Sequence, residues 1–348
     1  MMKYVSVEEM IAIEKESDAR GHTYPEMMEQ AGKGLAEVVH ETYSHLPGRR
    51  ITALVGSGNN GGDALVALDY LAGWGWETRA LLLKERAEDD PLQKRVEKAG
   101  GQLVAAHQEQ GQEKDLHRLI EESDLLLDGI LGTGIQLPVR GSLAERMKEV
   151  KEALTAGEHP PRVVAVDCPS GVDCDTGAAD PLCFPAEITV TMAAYKQGLL
   201  KFPARRFAGD IRLVDIGLPP DLKAYHQVKR EVVGMDFVKR TLPDRPLDAH
   251  KGTFGTALIL AGSARYPGAA LLAAGGAYRV GAGLVNVGVP GSFRGNLAGH
   301  LPEATWLNLD DEDGWLAKPA AEQLRNHVER PTAFLLGPGL GGEDCTRE

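Results

Sequence analysis

Three short stretches of this sequence carry the side chains best suited to chemistry. Gly56-Ser57-Gly58-Asn59-Asn60-Gly61-Gly62-Asp63 sets two amides and a carboxylate on a glycine-rich turn; Asp128 precedes Gly129 and Gly132-Thr133-Gly134; Val166 leads into Asp167-Cys168-Pro169-Ser170-Gly171. Amide, hydroxyl and carboxylate oxygens are ligands for hard cations, and a positioned carboxylate also moves protons. Asp63, Asp128 and Asp167 collected on one edge would repel one another unless a cation or a proton intervened. Gly56, Gly58 and Gly61 fit G-x-G-x-x-G, a pattern whose glycines let backbone N–H groups approach a pyrophosphate. Asp63 suits a helix start but repels a phosphate on the same N–H groups. Either a cation shares that site or the ligand lies differently from a redox dinucleotide. The plainer alternative is a tight turn with Asn in a left-handed conformation and Asp63 as a cap.

The elements around these stretches place them where ligands bind. Ile51 to Val55 is an apolar strand that runs into the glycine turn, and Ala64, Leu65, Val66, Leu68 and Leu71 continue as a helix, which makes the start of a βαβ unit. Before it, Val7 to Val39 reads as helix, broken at Gly21 to Pro25, with the small residues of Met27 to Gly32 packed against the sheet. After it, strands are expected at 78–83, 102–106, 124–128, 162–166, 187–192 and 211–216, with helices at 91–99 and 113–122. That alternation specifies a parallel sheet, and aspartates at the carboxyl ends of its strands lie in the ligand crevice of open α/β folds. Lys196 falls between two late strands, where it reads either as a solvated surface lysine or as a neutraliser of a phosphate. A second βα pattern begins after the proline-marked segment from Leu218 to Pro246 and ends in Gly337-Pro338-Gly339.

Composition limits the partners. The 348 residues suffice for two ordinary domains, 43% are hydrophobic and 25% charged, and the formal charge of −12 argues against nucleic acid or an anionic membrane. No apolar run reaches the ~18 residues of a transmembrane helix, and the amino terminus lacks a signal core, so the expected location is the cytoplasm. Cys168, Cys174, Cys183 and Cys345 show no C-x-x-C spacing and are read as free thiols.

Together, Gly58 to Asp63, Asp128 with Gly132-Thr133-Gly134, Val166 to Gly171, and Met28-Glu29-Gln30-Ala31-Gly32 resemble the NAD(P)H-hydrate epimerase family over most of residues 1 to 220. His250 to Gly255, Ala261-Gly262-Ser263, Pro267 to Ala270 and Gly337 to Leu340 resemble the start of the ADP-dependent NAD(P)H-hydrate dehydratase family. The order is that of the bifunctional hydrate repair enzymes. The resemblance implies a Rossmann-like three-layer α/β/α epimerase domain with a mostly parallel sheet over residues 1–222, a linker over 223–245, and an incomplete ribokinase-like α/β domain over 246–348. It also implies a substrate, NADHX or NADPHX, that is a dinucleotide hydrated at nicotinamide carbon 6. Asn59, Asn60, Gly61, Gly62, Asp63, Gly132, Thr133, Gly134, Ile135, Gln136, Leu137, Pro138 and Asp167 would line its site, with Ala269 and Gly339 in the second domain. Asn60, Asp128 and Ser170 would hold potassium (K+). Asp167 is the candidate general acid and base for exchanging the R and S forms. A homo-oligomer is implied by kinship alone.

The second segment departs from its family, since no Thr-Pro-His stretch and no Gly-Thr-Gly-Asp turn follow Gly339. ADP or ATP, with Mg2+, is therefore expected to serve only a completed dehydratase, and none of that activity is expected from this chain alone. Two rivals remain open. An NAD-dependent dehydrogenase would need an acid near the end of the second strand, where Leu83-Lys84-Glu85 stands somewhat late. The other rival is a non-catalytic dinucleotide-binding scaffold.

Overall fold

The computed structural model describes residues 2–87, 89–105, 113–157 and 159–347. The chain divides into two compact units, Met1–Thr241 and Leu242–Glu348.

In the first unit β1 (Met2–Val5) leads into α1 (Val7–Ala19) through a capping box: Glu9 N–H donates to Ser6 Oγ at 3.2 Å and Ser6 N–H to Glu9 Oε2 at 2.8 Å. After α2 (Tyr24–Tyr43) the chain alternates β2 (Arg50–Val55), α3 (Asn59–Gly73), β3 (Glu77–Leu82), α4 (Pro91–Lys98), β4 (Gln102–Ala105), α5 (Glu113–Glu121), β5 (Leu125–Gly129), α6 (Ser142–Ala156) and β6 (Arg162–Val166). Strands β7 (Ile188–Met192), β8 (Tyr195–Lys196) and β9 (Asp210–Val214) follow, then α7 (Lys223–Gln227), β10 (Glu231–Val232) and α8 (Met235–Thr241). Seven strands form one parallel sheet in the order β4-β3-β2-β5-β6-β7-β9.

Burial on both faces explains the unbroken apolar runs of the central strands. Ala53, Val55, Leu125 and Leu127 pack with Leu35 and Val39 of α2 and Leu65 and Leu68 of α3. The alternate residues Leu54 and Leu126 pack instead with Leu116 and Ile120 of α5 and Met147 and Val150 of α6. The strands and helices thus form three layers. Gly32 serves a helix contact rather than the sheet contact expected for its segment: a Cβ there would overlap Val66 of α3 and stand 2.9 Å from the Asp63 carbonyl. Residue 106, the last of the strand expected at 102–106, lies outside the described residues.

Within the segment 223–245, read as a linker, residues 223–241 hold regular structure and belong to the first unit, while 242–245 fall in the second. Glu16 accepts from the N–H groups of Lys223 and Ala224 at 3.0 and 2.8 Å, which caps α7. Strand β10 pairs antiparallel with β1, whose other edge pairs parallel with β8 in the register Tyr4 to Tyr195 and Val5 to Lys196.

The second unit carries β11 (Thr256–Leu260), α9 (Gly268–Val280), β12 (Leu284–Pro290), α10 (Gly291–Ala298), β13 (Thr305–Leu309), β14 (Asp311–Glu312), β15 (Trp315–Leu316), α11 (Pro319–Arg325), β16 (Ala333–Leu336) and α12 (Asp344–Arg347). Four of these strands form a parallel sheet in the order β13-β12-β11-β16. Its core gathers Ile259, Val285, Val287 and the alanines of α9, whereas β16 is exposed along its length.

Candidate active site

Strand β2 delivers the glycine turn, and the turn is held from outside as well as by its own glycines. Arg86 Nη1 donates to the carbonyls of Gly56 and Gly58 at 2.8 and 3.2 Å, while its Nε donates to Asp90 at 2.7 Å. A side chain at Gly56 would run into the Ile130 carbonyl, and one at Gly61 into that of Gly56, so these two glycines allow close backbone approach. Asn59 begins α3, which places Asn60 and Asp63 in its first turns, both buried at 8% and 7% exposure. Glu85, the acid nearest the end of β3, is exposed and lines neither of the two cavities described below.

Asp167 follows β6 with a φ of 62°, a left-handed conformation that is costly for a residue with a side chain and recurs at functional sites. Its surroundings fix it there. Its N–H donates to the Val190 carbonyl at 2.8 Å; its Oδ1 accepts from Met192 N–H at 3.0 Å, from Thr191 Oγ1 at 3.1 Å and from the Lys196 ammonium. Lys196 is 1% exposed and also donates to the Met192 carbonyl at 2.8 Å and to Thr191 Oγ1 at 3.2 Å. Both readings of Lys196 from sequence are thereby corrected. It is neither solvated nor free to meet a phosphate, because β8 turns it inward onto Asp167.

Asp128 and Ser170 form a second buried centre. Asp128 accepts from Ser170 N–H at 2.7 Å and Oγ at 2.5 Å, and Ser170 Oγ accepts from Leu131 N–H at 2.9 Å. The Asn60 amide reaches the carbonyls of Leu131 and Val166 at 3.1 and 2.5 Å. Burial pushes the Asp128 carboxyl up to about 6 despite the Ser170 bonds. Among the described residues no ion pair reaches it and no three His, Cys, Asp or Glu side chains could share a metal. Asp128 is the one carboxylate here, and the other donors are amide, hydroxyl and carbonyl oxygens. Such an all-oxygen set carrying a single charge fits a hard monovalent ion such as K+.

Beside this centre opens a cavity of about 810 Å³, within the size range of small-molecule sites. Asn59, Asn60, Asp63, Thr133 and Asp167 line it, together with Glu14 of α1, Met28 and Glu29 of α2, and Asp90 at the start of α4. Glu29 is held by Arg95 and Tyr70, and these bonds keep its carboxyl below the usual range. Asp63 is pushed well above its ordinary value by burial, then by the charges of Asp167 and Glu14.

The structure thus brings together most of the residues singled out from sequence. Gly132 abuts the Asn60 amide, where a Cβ would stand 2.5 Å from Oδ1, and Gly61 and Gly62 are buried in α3. Gly134, Ile135 and Gln136 instead line a separate depression of about 360 Å³, and Leu137 and Pro138 line neither. In the second unit Ala269 and Gly339 meet, since a Cβ on Gly339 would come within 2.7 Å of Ala269 Cβ. Sequence reasoning missed Glu14 and misjudged Lys196. The one available signal was a lone charged residue, a lysine, inside the otherwise uncharged stretch from Ile188 to Leu200. All four cysteines are free, Cys168 fully buried beside Asp167. No helix among the described residues is long and apolar enough to cross a membrane.

A parallel three-layer sheet with its cavity at the strand ends and a carboxylate clamped by a buried lysine defines a ligand-binding α/β domain of the Rossmann-like class. Comparison with known proteins narrows this. A profile described as YjeF-related protein N-terminus matches residues 25–198, and one described as NAD(P)H-hydrate dehydratase matches 257–348. The NAD(P)H-hydrate epimerase of Microbacterium testaceum is 35% identical over 217 residues, covering 62% of this chain and 79% of that protein. The bifunctional NAD(P)H-hydrate repair enzyme Nnr of Moorella thermoacetica is 33% identical over 328 residues, covering 92% of this chain and 60% of its own length. The crystal structure of yeast ynu0, YNL200c, superposes with a TM-score of 0.55 at 21% identity over 67% of this chain and 96% of that one, which shows the shared fold. The chain belongs to the NAD(P)H-hydrate repair family, with an epimerase-type first unit and a ribokinase-like second segment. It spans about 60% of the length of the bifunctional relatives. The expectation that dehydratase chemistry belongs only to a completed chain is not borne out, because the dehydratase profile matches the segment present.

Proposed function

We propose that the first unit interconverts the R and S forms of NADHX and NADPHX at nicotinamide carbon 6. The hydrated ring lies against Asp167, with the glycine turn and Gly132-Thr133 around the rest of the nucleotide. The second segment, by kinship, serves dehydration of the S form with ADP or ATP, Mg2+ being the usual companion of such phosphates. The observation that carries the epimerase reading is Asp167, paired with the buried Lys196, on the wall of a cavity large enough for a nucleotide.

The chemistry follows from the substrate. Carbon 6 bears both a hydroxyl and the ring nitrogen, so inverting it requires either loss of the hydroxyl or opening of the ring. Both routes need a proton delivered and a proton removed. One Asp167 oxygen is saturated by Lys196, Thr191 and the Met192 amide, which holds the carboxylate rigidly and leaves its second oxygen for the substrate. Asn60, Asp128 and Ser170 would hold K+, whose charge would offset that of Asp128 and favour an anionic nucleotide nearby.

Chiral chromatography of purified R-hydrate incubated with the protein, with and without K+, tests this reading. We expect exchange well above the uncatalysed rate, dependent on K+, and its loss in Asp167→Asn while hydrate binding persists. Exchange at the uncatalysed rate by the unmodified protein would refute the function; exchange at the normal rate by Asp167→Asn would refute the role of Asp167.

A further inference from the structure

Five carboxylates line the cavity: Glu14, Glu29, Asp63, Asp90 and Asp167. Three are neutralised by cations, Glu29 by Arg95, Asp90 by Arg86 and Asp167 by Lys196. Among the described residues Glu14 and Asp63 have neither a hydrogen-bond nor an ion-pair partner. Asp63 is 7% exposed and sits in the turn already given to the substrate. Glu14 belongs to no motif. It projects from α1 on the helical wall, whereas Asp167 enters from the sheet. An unpartnered carboxyl facing a cavity is one whose hydrogen-bonding capacity is left for a ligand.

Of the two routes to inversion, loss of the hydroxyl imposes a requirement that Asp167 alone does not meet. On that route the hydroxyl leaves one face of the ring and water arrives at the other, so proton-handling groups are needed on two sides. Resting on the epimerase reading, we propose that Glu14 is a second catalytic residue, the proton donor and acceptor on the helical wall, acting on the face of the ring turned away from Asp167. In one direction the Glu14 carboxyl protonates the hydroxyl, the carbon 6 to oxygen bond breaks with its electron pair leaving as water, and the ring nitrogen lone pair forms the iminium bond. Water then adds to the opposite face and gives its proton to Asp167. The reverse passage runs the same steps with the roles exchanged; between successive passages in one direction Asp167 gives its proton to solvent water and Glu14 takes one up, which restores the enzyme and balances the proton count.

The electrostatic setting supports this. Burial raises the Glu14 carboxyl above its ordinary value, with Lys196 opposing and Asp167 adding to the effect. The groups facing it are Asp167 and Lys196 from the sheet, Asp63 from α3 and Tyr24 from α2.

The test uses the full chain in ¹⁸O water with R- or S-hydrate as probe. In Glu14→Gln we expect inversion to fall by roughly 10²-fold or more, with KM changed no more than about threefold. In Glu14→Ala, added formate should restore part of the inversion rate, as a carboxylate filling the vacated place. Residual turnover in Glu14→Gln, with R- and S-hydrate offered as separate probes, should put ¹⁸O without inversion only into the epimer whose hydroxyl faces Asp167, because only that side still works. Normal inversion by Glu14→Gln, or folded Glu14→Ala that formate leaves inactive, would overturn the proposal. So would loss of the fold in Glu14→Gln, which would assign the carboxyl a structural duty. Absence of inversion in the unmodified protein would instead defeat the epimerase reading on which this rests.

Discussion

Replacing Lys196 by methionine removes the cation of a buried pair and leaves the rest of the enclosure intact. The side chains of Lys196 and Asp167 are 1% and 10% exposed, so water replaces little of what is lost. Breaking such a pair from one side costs roughly 3–5 kcal/mol, against 0–1 for a surface pair. The Lys196 ammonium also bonds Thr191 Oγ1 at 3.2 Å and the Met192 carbonyl at 2.8 Å, which argues for a value of about 4 kcal/mol within that range. For a unit of this size, at about 2–4 °C per kcal/mol, the melting temperature should fall by roughly 8–16 °C. Adding Asp167→Asn to Lys196→Met removes the orphaned charge and should recover at least about 1.5 kcal/mol, a non-additivity expected of residues in contact. Urea unfolding followed by the fluorescence of Trp74 and Trp76, in a background with Trp306 and Trp315 changed to phenylalanine, isolates the first unit. A cost under about 1 kcal/mol for Lys196→Met, or strict additivity in the double variant, would refute the claim that this pair organises the site.

Two further outcomes concern the cation centre. Asp128 is raised to about 6 against about 3.9 in an unfolded chain, so its contribution to stability is full below pH 4 and is lost, by about 3 kcal/mol, as pH rises through 6. Bound K+ offsets that loss, so the gain in melting temperature from KCl over choline chloride at equal ionic strength should be larger at pH 7.5 than at pH 5; an equal gain would argue against Asp128 as a ligand. In Gly132→Ala the added Cβ would stand 2.5 Å from Asn60 Oδ1 and displace the amide. The K+ concentration for half-maximal exchange should then rise about tenfold or more, a free-energy loss of about 1.4 kcal/mol, and an unchanged K+ titration would remove Asn60 from the ligand set.

Much of the first unit was legible because its signals are local. The glycine turn, Asp128 and the Asp167 to Gly171 loop each stand next to the strand that carries them, and the unbroken apolar runs of β2, β5 and β6 announce a sheet covered on both faces. What escaped notice depends on tertiary pairing. Lys196 meets Asp167 across 29 residues through a two-residue strand too short to leave a period in the sequence. Glu14 follows the core residues Met10 and Ile13 on α1 and looks like any polar position of an amphipathic helix. The small residues of Met27 to Gly32 do not say which surface they approach: α2 packs on the sheet through Leu35 and Val39, whereas Gly32 approaches Val66 of α3. The segment from 223 to 245 seemed a linker because its two short helices and two-residue strand carry almost no periodicity.

The placement of β1 has a practical bearing. Val5 is registered against Lys196, and one residue later the backbone turns into the helix bearing Glu14. Trimming the amino end past Val5 would therefore unfasten the base of the ion pair and the opposing acid in a single cut.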